Sequence, residues 1–114
     1  MNDCLFCKMA SGAIPVKKVY EDDDLFAIED INPVAPLHML IIPKKHLDNA
    51  LALAPEDDRI IGAIHRAAAK LARERGVDEE GFRLVNNTNA GAGQSVFHIH
   101  FHLLAGRKLG WPPG

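Results

Sequence analysis

Residues 96–104 alternate histidine with large apolar residues, and this two-residue period constrains the fold more than any other feature of the chain. Because successive side chains of a β-strand point to opposite faces, the period predicts a strand whose two faces differ in chemistry. One face carries the histidines His98, His100 and His102. The other carries the apolar residues Phe97, Ile99, Phe101 and Leu103. We therefore expect the apolar face to build the core and the histidines to meet a ligand.

Patterns elsewhere in the chain predict an α+β domain. Residues 55–75 repeat apolar side chains at spacings of three and four between Ile60 and Leu71, which is typical of an amphipathic helix. Gly76 follows its last turn and suits the left-handed position that ends many helices. Residues 10–18 are interpreted as a turn. Short apolar runs predict strands at residues 19–20, 25–28, 38–42 and 82–85. Strands before and after one long helix favour an antiparallel sheet in a single domain spanning residues 1–114.

Composition and charge exclude several classes of protein. The 114 residues contain 13 Lys and Arg against 15 Asp and Glu, a net charge of -2. Nucleic-acid polymers are held chiefly by cationic side chains, so we expect no such partner. No apolar run approaches the roughly 20 residues of a membrane-spanning helix, and the first residues lack the features of a secretory signal. We expect a cytoplasmic protein without a membrane partner.

A row of three histidines is compatible with two chemistries. Neutral imidazole nitrogens bind metal ions, and imidazole also acts as a nucleophile or an acid and base on a phosphate. The preceding loop, residues 87–95, is rich in small residues whose N–H groups can approach an anion, and it adds the polar side chains Gln94 and Ser95. The same loop is equally compatible with a plain turn between two strands. Together with the histidines, it favours a phosphate site.

Cys4 and Cys7 have the spacing of half a tetrahedral zinc site, whose other two ligands would be histidines from elsewhere in the chain. A redox pair of this spacing normally follows a strand, and nothing resembling a strand precedes Cys4. A disulfide in so small a loop is not expected in the cytosol. Zinc ligands or inert thiols remain as the two interpretations.

The residues quoted above resemble the histidine triad (HIT) family, whose signature of three alternating histidines followed by apolar residues corresponds to residues 98–104. Similar motifs cover nearly the whole chain: Cys4-Leu5-Phe6-Cys7-Lys8, Ile14-Pro15, Glu21-Asp22-Asp23, Asp30-Ile31-Asn32-Pro33, Pro36-Leu37-His38, Ile42-Pro43-Lys44-Lys45-His46, Gly93-Gln94-Ser95-Val96 and Trp111-Pro112-Pro113-Gly114. These motifs are similar to the Hint-like branch, the purine nucleoside phosphoramidases. The resemblance implies a five-stranded antiparallel sheet with one long helix and a short helix.

The resemblance also implies an activity and its residues. It implies hydrolysis of the P–N bond of AMP phosphoramidates, such as AMP-NH2 or AMP-lysine, through an adenylated His100. The other implied catalytic residues are His38, His102 and Ser95. A backbone carbonyl or His38 would hold one ring proton of His100 and so select the attacking nitrogen. The implied nucleotide-binding residues are Phe6, Ile28, Asp30, Ile31, Asn87, Gly93, Gln94, Ser95, His100 and His102.

Further implications concern metal, assembly and departures from the family pattern. Some relatives bind one structural zinc ion per chain, not required for the chemistry, at positions that correspond to Cys4, Cys7, His46 and His98. The branch forms homodimers in which sheets join edge to edge and the C-terminal tail reaches toward the partner's site. Asn86 replaces a usually apolar residue, and Phe97 stands where many members have tyrosine. His65 is assigned no role.

Two alternative functions remain open. A dinucleoside polyphosphate hydrolase or nucleotidyl transferase would use the same histidine, although Gln94-Ser95 and the Trp-Pro-Pro-Gly tail favour the Hint-like branch. A regulatory module that binds a purine nucleotide, AMP or GMP, with negligible turnover is the alternative from another functional class.

Overall fold

The computed structural model describes residues 3–114, which form two α-helices and one antiparallel β-sheet. The elements are α1 (Leu5–Ser11), β1 (Tyr20–Glu21), β2 (Leu25–Glu29), β3 (Leu37–Pro43), α2 (Asp58–Glu74), β4 (Phe82–Val85) and β5 (Phe101–Ala105). Single-turn 3-10 helices lie at Ala50–Ala52, Pro55–Asp57 and Ala90–Ala92. A five-stranded sheet with one long and one short α-helix confirms the predicted fold class.

The sheet has the strand order β1-β2-β3-β5-β4, and all neighbouring strands are antiparallel. On one face, Ile64 and Leu71 of α2 belong to the same apolar cluster as Met39 of β3. On the other face, Phe6 of α1 belongs to a second cluster with Leu40 of β3. Because both faces of β3 are covered, this central strand is apolar at nearly every position rather than at every second one.

The long helix matches its prediction closely. The 3-10 turn at Pro55–Asp57 leads directly into α2. The buried carboxylate of Asp57 accepts hydrogen bonds from the Ala54 N–H (2.9 Å) and from Nζ of Lys45 (2.6 Å), so the start of the helix is tied to the end of β3. Gly76 has a φ of 70°, which confirms the predicted left-handed residue after the last turn.

The predicted turn at residues 10–18 is partly wrong, because α1 continues through Ser11. Cys4 precedes α1, and its Sγ accepts a hydrogen bond from the Cys7 N–H at 3.3 Å. The helix buries Phe6 against the sheet. A helix of 7 residues with one buried side chain gives no readable period, so only the family resemblance indicated it.

The predicted strand at residues 96–104 is also partly wrong, since β5 begins at Phe101 and ends at Ala105. Continued pairing with β3 would place Ile99 opposite Pro43, which has no N–H to donate. The Pro43 carbonyl is bonded instead to Nε2 of His98 (2.7 Å), and the Ile99 N–H donates to the Leu47 carbonyl (2.6 Å). Phe97 is 47% exposed and lies outside the core, contrary to prediction. Ile99, Phe101 and Leu103 are core residues as predicted.

Among residues 3–114, no helix combines the length and the apolar character needed to cross a lipid bilayer.

Candidate active site and metal cluster

The candidate active site is a cavity of about 260 Å³ beside α1, on the sheet face opposite α2. It has an apolar side and a histidine side. Its lining residues are Leu5, Phe6, Met9, Val16, Ile28, Glu29, Asp30, Ile31, Leu40, Ser95, Val96, His100 and His102. Seven predicted site residues are therefore brought together here: Phe6, Ile28, Asp30, Ile31, Ser95, His100 and His102.

His100 is held in one tautomer by a backbone group. Its Nδ1 lies 2.8 Å from the carbonyl oxygen of His98, which only accepts, so Nδ1 carries the proton and donates it. Nε2 of the neutral ring therefore keeps its lone pair. The Phe6 ring packs edge-on against the imidazole of His100, with 5.1 Å between ring centroids. Of the two predicted partners for the His100 ring, the structure places the backbone carbonyl there.

His38 instead forms a hydrogen-bonded chain with His102. The Val34 N–H donates to Nδ1 of His38 at 3.1 Å, so in the neutral ring the proton is on Nε2. That Nε2 lies 2.9 Å from Nδ1 of His102 and 3.3 Å from a carboxylate oxygen of Asp30. Donation from His38 to Nδ1 of His102 leaves His102 with its proton on Nε2. His102 thus has a ring N–H available as a donor.

The protonation of His102 follows from its surroundings. Burial, together with the proximity of His100 and His38, lowers its pKa to about 4. At neutral pH His102 is therefore uncharged, which agrees with the tautomer required by the chain of hydrogen bonds. A neutral imidazole can donate its N–H to an oxygen atom of a bound phosphate without a net charge in the pocket.

The loop before β5 is organised by Gln94. Its side-chain oxygen accepts from the Asn89 N–H at 2.7 Å, and its amide donates to the carbonyls of Asp48 (2.7 Å) and Val96 (3.1 Å). Gln94 is buried and braces the loop, while the adjacent Ser95 lines the cavity. Gln94 and Gly93 are not among the residues that line it.

Asn87 lines a neighbouring cavity of about 290 Å³ rather than the first one. His38, His102 and Pro113 of the tail also line this second cavity, together with Val34, Val85 and Leu104. His102 therefore lies in the wall between the two cavities. Pro113 of the C-terminal tail therefore lies in the same cavity wall as the histidine pair of its own chain.

Four side chains from three segments form a compact cluster of potential metal ligands: Cys4, Cys7, His46 and His98. Their donor atoms all lie within 4.8 Å of one another. Nδ1 of His98 is 3.2 Å from Sγ of Cys4 and 3.5 Å from Sγ of Cys7. Nδ1 of His46 is 3.4 Å from Sγ of Cys7 and 3.2 Å from Nδ1 of His98.

These separations fit a tetrahedral zinc ion. Zn–S bonds of about 2.3 Å and Zn–N bonds of about 2.0 Å at tetrahedral angles place sulfur and nitrogen ~3.5 Å apart and two nitrogens ~3.3 Å apart. Each histidine also has a partner for its other nitrogen, as metal-binding histidines usually do. Nε2 of His98 donates to the Pro43 carbonyl at 2.7 Å, and Nε2 of His46 lies 2.8 Å from Asp48 Oδ1.

Burial and hydrogen bonding change the pKa values of the cluster residues. It lowers the pKa of His98, which favours the neutral imidazole that binds metals. Burial also raises the pKa of the Cys4 thiol. A hydrogen bond to the Asp48 carboxylate raises the pKa of His46. A divalent cation would offset the last two effects, because it stabilises the thiolate and the neutral imidazole.

Sequence reasoning missed three residues around the histidines. Val34 orients His38, and the Arg107 guanidinium donates to the Val34 carbonyl. Asn86 donates from its side chain to the His100 carbonyl at 2.9 Å. The only signal was at Asn86, whose polar side chain departs from the apolar residue usual in the family. His65, which was assigned no role, is exposed on α2, and its ring centroid lies 5.9 Å from that of Phe101.

Among known protein families, the HIT domain matches residues 11–109 of the chain. The chain belongs to the HIT domain family. This confirms the resemblance drawn from the histidine motif. The matched residues include the histidine row, the loop braced by Gln94 and the cavity wall formed by β2 and β3.

Individual HIT relatives are similar over almost the whole chain. An uncharacterized HIT-like protein of Synechocystis is 46% identical over 113 residues, covering 99% of this chain and 98% of its own. A purine nucleoside phosphoramidase of Escherichia coli is 43% identical over 109 residues, covering 96% of this chain and 92% of its own. A HIT family hydrolase from Legionella pneumophila is 50% identical with a TM-score of 0.95, covering 98% of this chain and all of its own.

Proposed function

We propose that this HIT protein is a nucleotide hydrolase that cleaves the P–N bond of AMP phosphoramidates and releases AMP. One observation carries the proposal: the hydrogen bond from Nδ1 of His100 to the His98 carbonyl leaves a lone pair on Nε2 of a residue that lines the cavity. The name of the Escherichia coli relative, a purine nucleoside phosphoramidase, supports the same reaction.

The proposed reaction has two displacements at phosphorus. Nε2 of His100 attacks the α-phosphorus, a P–N bond to His100 forms, and the P–N bond to the leaving amine breaks. The amine takes a proton from Ser95 or from the Nε2–H of His102. Water then attacks the same phosphorus and returns a proton to the group that protonated the amine, the bond to His100 breaks, and AMP leaves. The second displacement returns His100 to its starting tautomer, since the proton stays on Nδ1 throughout and is donated to the His98 carbonyl.

The proposed nucleotide site divides into an apolar slot and a polar edge. Phe6, Ile28 and Ile31 would enclose a purine base, and Ile31, which is 92% exposed, has a large apolar surface that a base could cover. Asp30 would accept from the ribose hydroxyls. One of its carboxylate oxygens already accepts from the Asn32 N–H at 2.8 Å, which orients the group. An apolar slot of this kind is compatible with AMP and with GMP.

The phosphate would meet neutral donors rather than cations. Ser95 and His102 line the cavity and carry donor hydrogens. We also propose roles for Gly93, Gln94 and Asn87 near the phosphate. Gln94 would act through the loop that it braces, because its side chain is already bonded to Asn89, Asp48 and Val96.

We propose one structural zinc ion per chain in the cluster of Cys4, Cys7, His46 and His98. When bound, the ion would cross-link α1 to the segments that follow β3 and precede β5; the chemistry does not require it. His98 belongs both to this cluster and, through its carbonyl, to the setting of His100. Phe6, between the two cysteines, contacts the rings of His98 and His100.

The remaining proposals concern assembly and location. We propose a single HIT domain over residues 1–114, a homodimer and a cytoplasmic location. β4 forms one edge of the sheet, and a second copy would cover its unpaired backbone groups.

The proposed activity is tested with AMP-NH2 and AMP-lysine as substrates. We expect wild-type protein to release AMP, His100→Ala to release none above background, and His65→Ala, a surface histidine outside the cavity, to match wild type. Release from a dinucleoside polyphosphate but not from either phosphoramidate would favour the alternative hydrolase. AMP binding without turnover of any substrate would leave only a regulatory module and overturn the proposal.

A further inference from the structure

Arg107 lies two residues after β5, and its guanidinium is hydrogen-bonded to the loop that precedes β3. Nε and Nη2 both donate to the carbonyl oxygen of Val34, at 3.3 Å and 3.0 Å. Nη1 donates to the carbonyl of Lys108 at 3.0 Å. Three N–H groups of one side chain are therefore used on backbone acceptors, two of them on the same atom.

Val34 is also the residue that orients His38. Its carbonyl is held by Arg107, while its N–H donates to Nδ1 of His38 at 3.1 Å. A hydrogen-bonded path thus runs from Arg107 through Val34 to His38, and from His38 to Nδ1 of His102 at 2.9 Å. The path connects an exposed cation to a ring in the wall of the candidate active site.

The packing of β3 against β5 brings Arg107 and Val34, the first two residues of this path, together. In the antiparallel register of β3 and β5, Leu37 lies opposite Ala105, so the residues that follow Ala105 meet the residues that precede Leu37. A Cβ atom on Gly106 would lie only 2.8 Å from Cβ of Pro36, which shows how closely the two backbones approach. This approach places Arg107 beside Val34.

The direction of the path matters for chemistry. With Val34 in place, Nδ1 of His38 must accept, Nε2 must donate, and His102 must carry its proton on Nε2. If Val34 moved away, only the Asp30 carboxylate, 3.3 Å from Nε2, would still favour a proton there. A fraction of His38 could then carry its proton on Nδ1 and accept from His102 through Nε2. His102 would then turn a lone pair, rather than an N–H, toward a phosphate oxygen or a departing amine, neither of which gains from it.

We propose that Arg107 is a positioning residue: by holding Val34, it keeps His38 and His102 in the tautomers that give His102 a donor N–H. The role rests on the proposed hydrolase function for its kinetic consequence, although the tautomers exist independently of turnover. Arg107 contacts neither substrate nor reacting atoms and acts only through Val34.

The test compares Arg107→Ala, Arg107→Lys and a matched control, Arg83→Ala. Arg83 also donates from its guanidinium to a backbone carbonyl, that of Gly110 at 2.9 Å, but Gly110 lies in the C-terminal segment and not in the loop that contains Val34. Imidazole nitrogen NMR at neutral pH reads the tautomers of His38 and His102. Steady-state kinetics on AMP-lysine separates kcat from KM, and thermal unfolding checks that each variant is folded.

We expect Arg107→Ala to give a mixture of tautomers and to lower kcat about three- to tenfold, the factor expected for loss of one net hydrogen bond, with KM nearly unchanged. Arg107→Lys, which keeps one donor, should recover part of both losses. Arg83→Ala should match wild type. Wild-type tautomers in Arg107→Ala would overturn the proposal. So would equal losses of kcat in Arg107→Ala and Arg83→Ala.

The NMR result stands even if no phosphoramidate is hydrolysed by wild-type protein. A tautomer change in Arg107→Ala without any wild-type turnover would refute the proposed hydrolase and keep the positioning role. Normal turnover by wild-type protein, with unchanged tautomers in Arg107→Ala, would support the hydrolase and refute the positioning role. If Arg107→Ala does not fold, the tautomers and kcat of Arg107→Lys and Arg107→Gln are compared with those of wild type instead. Both variants keep a side-chain donor but lose the guanidinium that bonds to Val34 through two nitrogens.

Discussion

The close approach of Gly106 to Pro36 leads to a quantitative prediction for Gly106→Ala. Gly106 has a φ of 93°, in the region that L side chains rarely adopt, and its new Cβ would lie 2.8 Å from Cβ of Pro36. The strained backbone costs about 1–3 kcal/mol. The steric overlap adds about 1–3 kcal/mol, because the proline ring cannot rotate out of the way. We therefore expect Gly106→Ala to lower the free energy of unfolding by about 2–6 kcal/mol.

Two other glycines separate these contributions. Gly81 has a φ of 109°, but nothing lies within 4 Å of an added Cβ, so Gly81→Ala should show only the backbone cost. Gly91 has no positive φ and open space around it, so Gly91→Ala should be neutral or slightly stabilising. The difference between Gly106→Ala and Gly81→Ala then measures the contact with Pro36.

Urea denaturation at fixed pH, followed by far-UV circular dichroism, gives the free energy of unfolding for each variant. At roughly 4 °C per kcal/mol for a domain of this size, the melting temperature should drop by about 8–24 °C in Gly106→Ala. Equal destabilisation by Gly106→Ala and Gly81→Ala would refute the reasoning, because the contact with Pro36 would then cost nothing.

Three further predictions test the core, the histidine pair and the cluster. Ile64→Ala removes most of a fully buried side chain of α2 and should lower the free energy of unfolding by about 2–5 kcal/mol. A loss below about 1 kcal/mol in urea titrations would contradict the burial of Ile64 in the core. Because the pKa of His102 is lowered to about 4, the unfolded chain binds the proton first, so stability should fall as pH drops from about 6.5 toward 4. The fall should be shallower in His102→Gln, and an identical slope in both proteins would count against it. Cys4→Ser should lose about one equivalent of zinc per chain by elemental analysis, whereas equal metal content in both proteins would remove the zinc site.

The helix α2 and the strands β2, β3 and β4 could be predicted from the sequence because their signals are local. The spacing from Ile60 to Leu71 and the short apolar runs are complete within each segment. The start of β5 is different. It depends on Pro43, which lies 58 positions before Phe101. Pro43 interrupts the pairing of the two strands, and its carbonyl accepts a hydrogen bond from His98. No pattern within residues 96–104 contains that information.

The same distinction applies to the candidate site. The three histidines were recognisable from their spacing, and the family resemblance supplied the residues that the cavity brings together. The particular partner of each ring was not recognisable: for His100 the prediction left a backbone carbonyl and His38 open, and the choice depends on which backbone group folds against the ring. The His98 carbonyl fixes His100, and the Val34 N–H fixes His38; neither contact leaves a mark on side-chain identity. Phe97 was misplaced for a related reason, because strand alternation was extended past the point where the strand begins.

Intact-protein mass spectrometry tests most directly whether His100 carries the nucleotide during turnover. The protein is mixed with AMP-lysine, quenched within the first turnover and digested for peptide mapping. We expect a mass increase of one adenylyl group on the peptide that contains His100, and no such increase in His100→Ala. AMP release by wild-type protein with an adduct on a different residue, or with no adduct at any quench time, would contradict it.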